Sequence, residues 1–221
     1  VDGAQRMQEM IRDLLTYSRV SRQEVPRERV DCRAALDRAC ANLRVAIAES
    51  GARVAAGPLP AVEGSAALLT QVFQNLIDNA IKYRAGDPPV IRVEAAARDG
   101  QWAFSVRDNG IGIDPQHHER VFAIFQRLHE RGKYSGSGIG LAVVRKIIDR
   151  HGGRIWVESR PGEGACFHFT LPERPEAAGA RSVACGYNPL RAPSGHPRPH
   201  RPHGRAARPR VELRRRRPRR R

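Results

Sequence analysis

The sequence has little lysine, few aromatic residues and no long apolar run, and each shortage limits what the chain can be. Only Lys82, Lys133 and Lys146 among its 39 basic residues are lysine, and aromatic residues make up 5% of its 221 positions. Without a run of about 18 apolar residues, and without a signal peptide, we expect a soluble piece. The four cysteines lack the paired spacing of a zinc site, and scattered thiols predict a reducing, cytoplasmic environment.

A short strand ends in an aspartate that we expect to be buried. Trp102, Phe104 and Val106 alternate with smaller or polar residues, which is the pattern of a strand with one buried face. The same alternation puts Asp108 on the apolar side at the end of the strand, just before Asn109-Gly110. Because an unpaired carboxylate is costly there, the pattern predicts a hydrogen-bond donor facing it. Taken alone, an aspartate that caps a turn fits these residues equally well.

Three alternate glycines, Gly136, Gly138 and Gly140, precede a helical spacing of apolar residues. Glycines at the start of a helix let backbone N–H groups approach an anion, and the helix N-terminus adds positive potential. The cluster lacks the Lys-Ser/Thr ending of a Walker loop, and no strand precedes it as a dinucleotide fingerprint requires. It therefore indicates an anion site of another kind.

A helix that we predict to begin near Ser65 carries, over residues 71–83, a narrow polar stripe on an otherwise apolar surface. At 100° per residue, Asn75, Asn79 and Lys82 lie within an arc of about 60°. A carboxamide oxygen can ligate a hard cation such as Mg²⁺, and an ammonium group can neutralise phosphate. The stripe fits one wall of a polyphosphate site, and the rarity of lysine elsewhere favours that interpretation. The alternative is the solvated edge of a half-buried helix.

Four motifs follow one another in the first 142 residues. They are Asn-Leu-Ile-Asp-Asn-Ala-Ile-Lys-Tyr from residue 75, Asp-Asn-Gly-Ile-Gly-Ile from 108, Phe-Ala-Ile-Phe-Gln-Arg-Leu-His from 122, and Gly-Ser-Gly-Ile-Gly-Leu-Ala from 136. In this order they resemble the motifs of the sensor histidine kinases, within the superfamily that includes gyrase, mismatch-repair and heat-shock ATPases. Residues 127–129 and 151–159 are similar to kinases attached to phytochrome and related sensory modules. The resemblance covers roughly residues 1–172.

The resemblance implies a site for ATP and Mg²⁺ and gives a role to each matching residue. Asn79, with Asn75 beside it, would ligate Mg²⁺ that bridges the phosphates, Lys82 would contact phosphate, and Asn75 and Lys82 would be the catalytic residues. Asp108 would accept a hydrogen bond from the adenine 6-amino group, and residues 115–134 would form a lid. The remaining expected binding residues are Tyr83, Gly110, Gly112, Phe125, Gly136, Gly138, Gly140 and Leu141. Phe122 and Phe125 would couple the lid to the histidine-bearing helix.

Asn75 stands where the hydrolytic ATPases of the superfamily have a glutamate that activates water. A neutral amide cannot accept that proton, so we expect slow ATP hydrolysis and transfer of the γ-phosphoryl group to a histidine. The earliest histidine in the chain is His117. The resemblance therefore implies that the acceptor lies on a histidine-bearing helical hairpin, from an upstream region or another chain. A response regulator and a second copy in a homodimer are the other expected partners of the full-length kinase.

Three segments are predicted along the chain. Residues 1–24 carry an apolar stripe and resemble the second helix of a dimerisation hairpin, with a surface helix docked on its own domain as the alternative. Residues 25–172 are predicted to form an α/β two-layer sandwich, a mixed and mostly antiparallel sheet with helices on one face. Within and before it we expect a linker over residues 21–32, one amphipathic helix from Leu36 to Ser50, and a hairpin across Asp99-Gly100.

The third segment, residues 173–221, differs in composition from the rest. Its 15 arginines against three acidic residues account for +12 of the chain's net charge of +16. It has no apolar periodicity, so we expect disorder. An Arg-rich tail can bind a polyanion, but with Tyr187 as its one aromatic residue it offers no stacking platform, and nucleic acid is not an expected partner. Out-of-frame or read-through translation of a GC-rich gene is the other account of this segment.

Two further functions fit the motifs. A nucleotide-binding regulatory module without transfer activity would need no acceptor histidine. A serine kinase of the anti-sigma type shares the ATP motifs, but such kinases typically lack a helix like the one predicted over residues 1–20.

Overall fold

A mixed five-stranded sheet forms one layer of the domain. The computed structural model describes residues 10–11, 14–20, 28–126 and 137–173. The strands are β1 (Glu28–Asp31), β2 (Arg53–Ala56), β3 (Ala61–Gly64), β4 (Val90–Arg98), β5 (Gln101–Arg107), β6 (Ile155–Ser159) and β7 (Ala165–Pro172). The helices are α1 (Cys32–Asn42), α2 (Arg44–Ser50), α3 (Ala66–Lys82) and α4 (Gly140–Arg150). The sheet order is β2-β4-β5-β7-β6, parallel between β2 and β4 and antiparallel elsewhere, which confirms the predicted α/β architecture.

The hairpin predicted across Asp99-Gly100 is present and joins β4 to β5. Asp99 has φ 51° and Gly100 has φ 72°. Two left-handed residues give a two-residue turn the twist that suits paired strands. On its other edge β5 pairs with β7, with Arg107 opposite Cys166. Asp108 therefore leaves β5 beside the first residue of β7.

Three aromatic rings join α3 to the sheet. Phe73 meets Phe104 and Phe169 edge-on, at centroid distances of 6.3 and 6.1 Å, and the latter two stack at 4.7 Å. All three side chains are buried. Offset and edge-on aromatic contacts add to the energy of apolar burial. This packing sets the rotation of α3 about its axis, and with it the direction of the polar stripe.

The predicted linker over residues 21–32 is partly wrong, because it contains β1. Four residues of β1 pair antiparallel with β3, with Val30 opposite Val62, and both valines are buried. A four-residue strand is too short to show alternation, and this one exists because β3 pairs with it. Residues 21–27 lie outside the described residues.

The predicted single helix from Leu36 to Ser50 is two helices. Leu43 leaves the helical conformation at φ −99° and ψ 10°, and its N–H donates to the carbonyls of Ala39 and Cys40. The apolar spacing continues through this break, so the sequence pattern does not reveal it. Gly51, in the left-handed conformation at φ 68°, ends α2 as the Ser-Gly pair indicated.

Residues 14–20 are helical and contact the domain at their end. Val20 is buried, and the Arg150 guanidinium donates to its carbonyl. The exposed large apolar side chains in residues 10–11 and 14–20 are Met10, Ile11, Leu14 and Leu15. Within the described ranges, no helix is both long and apolar enough to cross a membrane. The predicted disordered tail, from residue 174 onward, lies outside those ranges.

Candidate functional site

A pocket opens between the end of α3, the loop after β5 and the start of α4. It encloses about 610 Å³, including space open to solvent. Five residues predicted for the site line it: Asn79, Tyr83, Asp108, Gly112 and Leu141. These residues are up to 62 positions apart in the chain, and the helix–sheet packing brings them to one cavity.

Asp108 is held by the backbone around it. Its Oδ1 accepts hydrogen bonds from the N–H of Gly110 at 2.8 Å and of Ala165 at 3.1 Å. Its own N–H donates to the Ala165 carbonyl at 2.8 Å. Burial raises the pKa of the Asp108 carboxyl, while the two N–H groups and the Arg107 charge act in the lowering direction. The hydrogen-bond donors predicted to face Asp108 are present, and they are backbone N–H groups of the chain itself.

Gly110 and Gly112 allow the loop after Asp108 to lie against its neighbours. A Cβ on Gly112 would lie 1.9 Å from the Arg160 carbonyl oxygen, and its φ of +72° is a left-handed value. A Cβ on Gly110 would lie 2.5 Å from the Tyr83 carbonyl oxygen. Both approaches are closer than any side chain tolerates. The two glycines predicted for the base side are thus required by the backbone itself.

The side-chain amides of Asn75 and Asn79 on α3 are buried with hydrogen-bond donors unsatisfied. The Nδ2 atoms of both are buried and have no hydrogen-bond partner among the residues that the structure describes. Gly140 lies beside Asn75, since a Cβ on it would be 3.6 Å from Asn75 Oδ1. Leaving a buried amide donor unpaired costs about 1–3 kcal/mol. Two such donors next to a glycine-rich helix start fit a bound triphosphate, and their amide oxygens are ligands that Mg²⁺ accepts.

Lys82 does not line the pocket, although it belongs to the predicted stripe. Its Nζ lies 2.6 Å from Asp78 Oδ2, one turn earlier on α3, and both side chains are about one-third exposed. Tyr83 follows and ends the helix; its carbonyl accepts the Ile111 N–H at 2.9 Å. The end of α3 is thereby fastened to the Asp108 loop.

The predicted lid is described only in part, and Gly136 lies outside the described residues. Residues 115–117 and 120–122 form short 3₁₀ turns. Phe122 is buried and meets Phe167 edge-on at 6.3 Å. Its position is therefore that of a core residue beneath the pocket.

Phe125 does not line the pocket. Its side chain is 51% exposed and its backbone has φ 63°, which is unusual for a bulky residue. Its N–H donates to the Gly138 carbonyl at 3.1 Å. Phe125 is thus bonded to the residue two positions before α4.

Sequence reasoning missed about half of the pocket lining. The additional residues are Ile111, Ile113, Val121, Gln126, Ala165 and Phe167. The two isoleucines stand within the motif after Asp108, so their place could have been inferred from it. Ala165 and Phe167 are on β7. The sequence pattern there predicts a strand, but it does not show that this strand pairs with β5 beside the pocket.

Proteins similar to this chain include a phytochrome and a phytochrome-like protein. Cyanobacterial phytochrome A of Nostoc sp. is 52% identical over 172 residues, which are 78% of this chain and 22% of that protein. Phytochrome-like protein Cph1 of Synechocystis sp. is 48% identical over 172 residues, 78% and 23% of the two chains. The chain thus spans less than a quarter of the length of these curated relatives.

Solved structures of histidine kinases share the fold. Full-length ShkA in complex with AMPPNP superposes with a TM-score of 0.63 at 29% identity, covering 74% of this chain and 35% of that one. ThkA in complex with the response regulator protein TrrA superposes with a TM-score of 0.63 at 24% identity, covering 80% of this chain and 50% of that one. At this identity the likeness supports the fold alone.

The family model described as histidine kinase-, DNA gyrase B-, and HSP90-like ATPase matches residues 64–175. This range contains α3, the Asp108 loop and α4, and so every element that lines the pocket. The chain therefore belongs to this ATPase family, as a histidine kinase-type ATPase domain of two-component kinases.

Proposed function

We propose that the pocket between α3, β5 and α4 binds ATP with Mg²⁺, and that the chain transfers the γ-phosphoryl group to a histidine on a helical hairpin. The observation that carries the proposal is the pair of opposed walls. On one side the buried, unpaired Nδ2 of Asn79 lies on α3, with that of Asn75 one turn earlier and outside the pocket lining; on the other lies the Asp108 carboxylate, held by backbone N–H groups. Membership of an ATPase family supports the nucleotide as the ligand.

Asp108 is the residue that we propose for adenine recognition. A carboxylate accepts a hydrogen bond from the exocyclic amino group of adenine, whereas guanine has an acceptor at that ring position. The two backbone bonds to Oδ1 hold the carboxylate in one orientation before a ligand arrives. A preorganised acceptor saves the cost of ordering it on binding. Leu141 and Ile113 offer apolar contact to the base.

Asn75, Asn79 and Lys82 are proposed for the phosphates. Amide oxygens of the asparagines would hold Mg²⁺, and their Nδ2 groups would donate to phosphate oxygens. Lys82 would exchange its bond with Asp78 for phosphate. When bound, Mg²⁺ neutralises charge on the phosphate oxygens. The backbone N–H groups near Gly138 and Gly140 would add donors at the start of α4.

The identity of Asn75 separates transfer from hydrolysis. An amide cannot take a proton from water, so this chain would hydrolyse ATP slowly and await a better nucleophile. That nucleophile would be the imidazole of a histidine-bearing hairpin, from an upstream region or from another chain. Such hairpins pair with apolar helices, and the exposed Met10, Ile11, Leu14 and Leu15 offer a surface for one. A response regulator and a second copy would be further partners of the full-length kinase.

Calorimetry with Mg-ATP, Mg-GTP and ATP without metal tests binding. We expect ATP with Mg²⁺ to bind best, and Asn79→Leu to weaken it at least tenfold, about 1.4 kcal/mol. Gln74→Leu is the matched control, since it removes another amide of α3. The Gln74 Oε1 accepts a hydrogen bond of 3.0 Å from Asn42 Nδ2, and Gln74 does not line the pocket. Absence of binding to the wild-type chain would refute the proposal.

Transfer is tested by adding labelled ATP and a separately produced histidine-bearing hairpin. We expect label on the hairpin and little free phosphate. Binding without transfer would instead identify a nucleotide-binding regulatory module. Fast release of phosphate by the chain alone would contradict the role assigned to Asn75.

A further inference from the structure

One side chain outside the pocket is bonded to both backbone segments that shape its adenine end. Ser159 is the last residue of β6 and is half-buried. Its Oγ accepts the Ile113 N–H at 2.8 Å and donates to the Gly164 carbonyl at 2.6 Å. Ile113 lines the pocket, and Gly164 precedes Ala165, whose N–H binds Asp108. The single hydroxyl of Ser159 therefore connects the loop after Asp108 to the backbone that leads into β7.

The backbone around Ser159 is closely packed and is also joined by main-chain contacts. The Gly162 N–H donates to the Ile111 carbonyl at 2.8 Å. A Cβ on Gly164 would lie 2.1 Å from the Asp108 carbonyl oxygen. The turn between β6 and β7 thus lies directly against the loop after Asp108. Besides the bond from the Ala165 N–H to Asp108, Ser159 supplies two side-chain bonds in this contact. Removing them would leave the Ile113 N–H and the Gly164 carbonyl without these partners.

We propose that Ser159 is a positioning residue for the adenine end of the nucleotide site. Ser159 does not line the pocket; it acts by holding Ile113 and the start of β7 at the spacing that Asp108 and the base require. The identity of the ligand rests on the proposed function above. The effect of Ser159 on the loop does not.

Thr170 provides a matched control within the same strand pair. Its Oγ1 accepts the Arg154 N–H at 3.1 Å, at the opposite end of β6 and β7 from Ser159. Thr170→Val removes a hydroxyl–backbone bond of the same kind away from the pocket. If Ser159 only stabilised the strands, the two positions would respond alike.

The experiment compares Ser159→Thr, Ser159→Val and Thr170→Val with the wild type. Thr and Val have the same shape, so the difference between Ser159→Thr and Ser159→Val isolates the effect of the hydroxyl group. We expect Ser159→Val to weaken Mg-ATP binding about tenfold, and Ser159→Thr and Thr170→Val to change it less than about threefold. In the transfer assay, Ser159→Val should raise KM for ATP and change kcat little. Amide exchange at Ile113 should accelerate in Ser159→Val alone.

Equal affinities in Ser159→Val and Ser159→Thr, or an equal loss in Thr170→Val, would overturn the proposal. Should the wild type not bind ATP, the proposed function fails, and amide exchange at residues 111–114 then decides the role of Ser159 by itself. Unchanged exchange in Ser159→Val would refute it. If Ser159→Val does not fold, Ser159→Ala takes its place in both measurements.

Discussion

The two ends of the pocket, which we propose for adenine and for phosphate, are built differently. At the adenine end, backbone bonds from Gly110 and Ala165 satisfy Asp108, and Ser159 joins the neighbouring segments. At the phosphate end, the Nδ2 atoms of Asn75 and Asn79 are buried without partners among the described residues. At the first end, hydrogen bonds within the chain already hold the side chain in place before a ligand binds. At the second end, the two unpaired amide donors carry a desolvation cost that a ligand would remove. Under the proposed function, recognition of the base would depend on the stability of the fold, and capture of phosphate would depend on the unsatisfied asparagine side chains.

The largest effect should come from Gly112→Ala, which tests how far the adenine end depends on its backbone. The added Cβ would meet the Arg160 carbonyl at 1.9 Å, and alanine disfavours φ +72°. We expect a loss of about 3 kcal/mol or more in the free energy of unfolding, measured by urea denaturation. Gly57→Ala is the control, because a Cβ there meets nothing within 4 Å. Similar stability of the two variants would contradict the comparison.

Asp108→Asn should separate binding from stability at the same end. The variant loses the carboxylate that we assign to adenine, so Mg-ATP affinity should fall at least tenfold, about 1.4 kcal/mol. Because burial disfavours the Asp108 charge, the free energy of unfolding should stay the same or rise. Calorimetry and urea denaturation measure the two quantities. Unchanged affinity would remove Asp108 from the adenine role.

A smaller effect concerns a hydrogen bond that joins the start of α3 to the end of α4. His151, just after α4, accepts the Ser65 N–H at Nε2, 3.2 Å away, and its Nδ1 lies 2.8 Å from the Ile147 carbonyl. Since Ser65 begins α3 and its N–H can only donate, the imidazole is neutral with its proton on Nδ1. Burial, with Arg150 adding to it, lowers the pKa of His151.

The unfolded histidine takes up a proton below about pH 6.5, while the folded one resists it. Its contribution to stability is therefore complete above that pH and declines as the pH falls further, by at most about 1.4 kcal/mol per unit. Urea denaturation at pH 7.5 and 5.5 measures this decline. His151→Gln should flatten it, and an equally steep decline in that variant would contradict the argument.

Local patterns predicted most elements but not their limits. The β4–β5 hairpin followed from Asp99-Gly100, and α3 from its apolar spacing, because both signals come from neighbouring residues. The break at Leu43 and the strand at Glu28–Asp31 depend on what packs against them. Apolar periodicity cannot show either, since it is the same on both sides of the break.

The sequence by itself determined the chemistry of the site: asparagines on one helix face, an aspartate at a strand end, and glycines where the backbone must turn or approach. Tertiary structure alone decided what surrounds that chemistry. It placed Ala165 against Asp108 and Ser159 between two loops. The motifs are local patterns of residue type, whereas these contacts depend on which strands pair and at what register. Pairing between β5 and β7, almost sixty residues apart in the chain, completes the pocket.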